Sequence, residues 1–95
     1  MPFVLIHTKT NRIFSCKLIN RYDLEYVGVK SWGSLQEAEL ESDSFLRLNG
    51  AESVTEWNVI EVDESFVKLC NVKLNNRENR HVYRNEEGKV EARIL

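Results

Sequence analysis

The sequence predicts an α+β domain, a small curved antiparallel sheet or a partly open β-barrel of about 6–7 strands packed on one α-helix at residues 34–49. Three observations predict it. One stretch carries both a helix start and a helix stop. The rest of the chain is short runs of β-formers. Those runs are separated by polar turn residues rather than by further clear helical periodicity. The 95 residues are read as one domain, residues 1–95, with no internal repeat, low-complexity tract or linker. A chain of this length buries roughly two-thirds of its unfolded surface and needs no metal or disulfide to fold.

The helix begins at Ser34, where Ser34 and Glu37 have the spacing of a capping box. Leu35, Ala38, Ser42, Phe45, Leu46 and Asn49 then recur at helical spacing and form one face, with Leu40 and Leu48 off it. Glu37 and Glu39 suit the positive end of the helix dipole, and Arg47 suits the negative end. Asn49-Gly50 is a stop, because both residues tolerate left-handed backbone. Such a helix is marginal alone and needs a sheet to cover its apolar side.

The strands are expected in order. Residues 2–8 include Phe3-Val-Leu-Ile6, apolar on both sides, which suits a strand covered on both faces or one at least half buried. Residues 9–12 are a hairpin tip, with Asn11 fit for positive φ. Residues 13–19 form the return strand, with Phe14, Cys16 and Leu18 inward. Residues 22–32 form a third strand, where Gly28 marks a bulge or a close backbone approach. After the helix, residues 56–62 resume strand character. Residues 66–74 fit either a strand or a helix capped by Asp63. Their valines and the short gap before them favour a strand. Residues 80–84 and 89–95 form a closing hairpin with Gly88 at its turn.

Net charge is −2, which selects no partner class, but its layout is uneven. Residues 1–33 carry +3, residues 34–64 carry −8 and residues 65–95 carry +3. Solvated helix and loop faces explain such a layout without a ligand. The apolar start is too short for a signal peptide, and no run reaches transmembrane length. A cytoplasmic protein with two reduced thiols and no membrane association is therefore expected.

Few constellations carry chemistry. Cys16 with His7 or His81 lacks any nucleophile motif, and Cys16 and Cys70 fall among apolar strand-like residues. These four side chains also lack the close pairing of zinc ligands. Glu37, Glu39, Glu41 and Asp43 point to different sides of a helix and cannot converge on one cation. The glycines are scattered, so no phosphate cradle is formed. No catalytic residue, cofactor or metal is expected.

Arg77, Arg80, His81, Tyr83 and Arg84 form the most suggestive cluster. Guanidiniums can hold phosphates while Tyr83 offers a stacking plane. Basic side chains on a hairpin also guard a strand edge. Trp32 and Trp57 would anchor a partner protein if both were exposed on one side. The sequence thus points to a non-enzymatic interaction module with an unidentified protein partner. The alternatives are a single-stranded nucleic-acid-binding small β-barrel using the basic hairpin at 77–84, and a small-ligand carrier or minor enzyme.

Overall fold

A computed structural model describes residues 1–51 and 53–95. The chain forms β1 (Phe3–His7), β2 (Arg12–Ile13), β3 (Ser15–Ile19), β4 (Glu25–Val29), α1 (Leu35–Leu48), β5 (Trp57–Glu61), α2 (Glu64–Leu74), β6 (Arg80–Arg84) and β7 (Val90–Ile94). A 3-10 turn, Val54–Glu56, leads into β5. The strands make two antiparallel sheets, one of five strands in the order β5-β1-β2-β6-β7 and one of β3 and β4. Among the described residues the fold is therefore α+β, with an open sheet that does not close into a barrel.

Strand β1 is covered on both faces, as its apolar run requires. Val4 and Ile6 join Ile13, Val82, Val90, Val27 and Val29 in a core that α2 closes with Cys70 and Leu74. Leu5 faces the other way, into a core with Phe14, Trp32 and the α1 residues Ala38 and Leu46. Period-two alternation along β1 thus splits the interior into two halves.

Helix α1 forms where expected, although Leu35, expected on its apolar face, is exposed. The Ser34 hydroxyl accepts from the Glu37 amide at 3.2 Å, Ala38, Ser42 and Leu46 are buried, and Leu40 and Leu48 are exposed. Gly50 takes φ +70° just past its end. Asn11 takes φ +62° and Gly88 φ +78°, each at the turn position expected of it.

Three expectations are corrected. Residues 66–74 are not a strand but the body of α2, so the described residues form two α-helices. A strand would have set Lys68 inward, whereas the helix buries Cys70 and Leu74, half-buries Phe66 and Val67, and leaves Lys68 in solvent. Asn75 and Asn76, both at positive φ, stop it. The return strand at 13–19 is broken. At Phe14 the chain leaves the five-stranded sheet and starts the second, so Ile13, Phe14 and Ser15 are buried in succession. The third strand is confined to β4, because Asn20 folds residues 20–24 into a turn, its side chain accepting from the Tyr22 and Leu24 amides at 2.8 and 3.1 Å.

Candidate functional site

The edges of the sheets are the first place to look, because an unpaired edge exposes a row of backbone donors and acceptors. The outer edge of β4 is closed. Asn76 Oδ1 accepts from the Val27 amide at 2.8 Å and Asn71 Oδ1 from the Val29 amide at 2.9 Å. Among the described residues, β3, β5 and β7 each end a sheet with no strand paired to their outer side.

Strand β7 is the most exposed of these. Only Val90 is buried, and Ile94 is 69% and the adjoining Leu95 68% exposed. Tyr83 opposes Glu91 and His81 opposes Arg93 across β6–β7. The Asn85 amide donates to the Lys89 carbonyl at 2.8 Å, and the Leu95 amide donates to the Asn79 carbonyl at 2.7 Å. These two bonds bracket the ladder and set its phase. In an antiparallel pair, alternate residues bond inward. Glu91 and Arg93 therefore bond to β6, while the backbone groups of Val90, Ala92 and Ile94 point away from it. A cleft of about 530 Å³, lined by the apolar Phe66, Leu69 and Val90 and by the charged Asp63, Lys73 and Lys89, opens between α2 and the Val90 end of this edge.

The open face of β2, β6 and β7, which α1 leaves uncovered, is a second surface. Alternation divides the basic cluster at 77–84 between two faces. Val82 faces the α2 core, and Arg80 and Arg84 share its side of β6. One Arg80 terminal nitrogen donates to the Lys73 carbonyl at 3.3 Å, and Arg84 lines a cleft with Asp63 and Phe66. His81 and Tyr83 lie on the opposite side, and Arg77 sits exposed in the loop before β6.

His81 and Tyr83 have other neighbours. The Arg93 guanidinium lies over the Tyr83 ring, 4.4 Å from its centroid. Arg12, opposite Tyr83 on β2, sits over Phe14 and Trp57 at 6.0 and 5.7 Å. Such stacking partly replaces lost hydration for a buried cation. Among the described residues no carboxylate pairs with Arg12, and its Nε is buried without a partner. Burial pulls the guanidinium below its ordinary range, with Tyr83 and Cys16 opposing that shift. Burial, followed by the Arg12 charge, also holds His81 below the usual imidazole value. Neither Arg12 nor Arg93 stood out in the sequence, where one looked like a turn residue and the other like the polar side of a half-buried strand.

The tryptophans do not make a joint exposed anchor. Trp32 is 5% exposed and meets Phe45 edge to face. Trp57 is half-buried against His7 and Phe14, with ring centroids 5.0 and 5.3 Å apart. Glu56 pairs with both Lys9 and His7 at 3.0 Å, and the Lys9 hydrogen bond chiefly holds its carboxyl below the usual range.

Both thiols are held above their ordinary range. Burial pushes the Cys70 thiol up to about 12. Burial also raises Cys16, against the pull of Lys30 and Arg12. Among the described residues no three His, Cys, Asp or Glu side chains cluster as metal ligands do, and no helix is long and apolar enough to cross a membrane. Comparison with known protein families, curated proteins and solved structures finds no match for this chain.

Proposed function

We propose that this chain is a non-enzymatic interaction module whose working surface is the free edge of β7, which takes an extended segment of a partner protein as an added strand. The observation that carries this is the outward row of backbone groups at Val90, Ala92 and Ile94, with the α2 cleft beside its Val90 end. Main-chain bonds along such an edge supply affinity, and side-chain pockets beside it supply selectivity. The raised thiols support a binding role over nucleophilic catalysis.

A photo-crosslinker placed at Ile94 tests this in extract from the source cell. Ala92→Pro is the discriminating variant. It removes an outward donor while leaving the inward bonds to β6, and edge strands tolerate proline in that position. A defined adduct from position 94 that disappears with Ala92→Pro, with none from position 40 on the outer side of α1, is the expected result. Adducts indifferent to Ala92→Pro contradict it.

A second reading is favoured by Arg12, a cation without a carboxylate partner among the described residues, beside the Tyr83–Arg93 stack. A single-stranded nucleic acid could lay phosphates on these guanidiniums and stack bases on Tyr83, His81 or the Arg93 plane. The contact set then becomes Arg12, His81, Tyr83 and Arg93, rather than the whole run at 77–84. An amide NMR titration with a short oligonucleotide tests it. Shifts on these four residues that fade with salt and with Arg12→Ala support it, and a silent spectrum at low salt removes it.

A further inference from the structure

We infer that the segment seated on β7 is β7 of a second copy of this chain, paired antiparallel about a two-fold axis at Ala92. This rests on the reading of β7 as the working edge and names its partner.

A two-fold axis at Ala92 sets Ala92 opposite Ala92 of the second copy, Val90 opposite Ile94 and Glu91 opposite Arg93. The residues with outward backbone groups are Val90, Ala92 and Ile94. In this register they meet only one another, so every outward donor finds an acceptor. Glu91 and Arg93 then fall at the non-hydrogen-bonded positions, where facing side chains come closest. Opposite charges there are favourable and like charges are not. Val90, Ala92 and Ile94 are apolar and line the same side as the α2 cleft. The pairing sets apolar residues together on one face and two ion pairs on the other, as an isologous interface requires.

The other free edges fail the same test. On β5 the Val62 amide donates to the Pro2 carbonyl and the Thr8 amide to the Glu56 carbonyl, so the odd-numbered residues face outward. A two-fold axis at Val59 sets Trp57 against Glu61 and Asn58 against Ile60. On β3 the outward residues are Ser15, Lys17 and Ile19, because the even-numbered residues bond to β4. A two-fold axis at Lys17 sets two lysines face to face. Lys17 is also held by Glu78 at 2.8 Å. Of the three edges, only β7 is complementary to itself.

Two five-residue strands bury less than a standard interface, so the association is weak and depends on concentration. Sedimentation velocity on the full chain, from micromolar to near-millimolar, reads it directly. The wild type is expected to shift from monomer to dimer. Glu91→Arg places arginines opposite each other and Arg93→Glu places glutamates opposite each other, so each alone should stay monomeric. An equimolar mixture of the two variants restores both ion pairs and should dimerise, as should the double variant Glu91→Arg/Arg93→Glu. Circular dichroism confirms that each variant folds. A wild type monomeric throughout overturns the inference, as does a mixture no more associated than its components. If the wild type is monomeric yet position 94 still crosslinks a foreign protein in an Ala92→Pro-sensitive way, only self-pairing is lost. If both signals are missing, the edge reading falls with it.

Discussion

The Asn71 side-chain oxygen accepts from the Val29 amide at 2.9 Å, joining α2 to a strand of the other sheet 42 residues away in sequence. Asn76 repeats the contact at Val27. These two amides close the one edge of β4 that would otherwise lie open, and they hold the two-stranded sheet against the α2 core. Asn71→Ala leaves the part-buried Val29 N–H without its acceptor, which costs about 1–3 kcal/mol. Chemical denaturation measures it, and a change below about 0.5 kcal/mol, the range of an ordinary surface substitution, would show that the contact is dispensable.

Gly28 lies between those two bonded amides. A Cβ there would stand 2.6 Å from a Tyr26 ring carbon and 3.2 Å from Asn71 Oδ1. Gly28→Ala should destabilise the fold by about 1–3 kcal/mol through overpacking. Gly33 has nothing within 4 Å of its added Cβ, so Gly33→Ala is the control and should stay within about 0.5 kcal/mol. Equal effects of the two substitutions would contradict the packing described.

The thiols give a prediction in alkali. A buried thiol whose folded value lies above its unfolded value of 9.0 resists ionisation only while folded. Its contribution to stability is intact below pH 9 and is lost as pH rises from there toward about 12. Native protein treated with iodoacetamide near pH 8 should label slowly at Cys16 and not at Cys70. Mass spectrometry reads both sites. Labelling of Cys70 at the rate of a free thiol would mean that its core opens.

Acid acts through His81. Its folded value is depressed by burial and then by Arg12, so the unfolded chain takes up its proton first. Stability from this residue is complete above the unfolded value of 6.5, falls as pH drops below it, and levels off beneath the folded value. His81→Asn should flatten the fall of the denaturation midpoint as pH drops below 6.5. A slope unchanged by that substitution would place its source elsewhere.

How much of this the sequence disclosed depended on whether a signal was local. The Ser34 N-cap, whose hydroxyl accepts from the Glu37 amide, and the asparagine and glycine turns at Asn11 and Gly88 act within a few residues, and they formed as expected. Residues 66–74 did not, because a short apolar run takes its conformation from what it packs against. Here the surroundings favour a helix that buries Cys70 and Leu74 and brings Asn71 to β4. The break at Phe14 was illegible for a similar reason, since alternation shows which side a residue takes and not which sheet its strand has joined. The basic cluster at 77–84 was read as one surface although period two already separates Arg80 and Arg84 from His81 and Tyr83. Recognition of Arg12 and Arg93 as their neighbours needed the registers of β2–β6 and β6–β7.

Residue-resolved amide hydrogen exchange across β7, at the lowest workable concentration and again near millimolar, tests the free edge most directly. At low concentration the Glu91, Arg93 and Leu95 amides should exchange slowly, because they bond to β6 and its flank, and the Val90, Ala92 and Ile94 amides should exchange fast. At high concentration the fast three should slow, as self-pairing covers them. Uniform protection along β7 at the lowest concentration would mean that the edge is already covered within one chain, and would contradict β7 as the working surface.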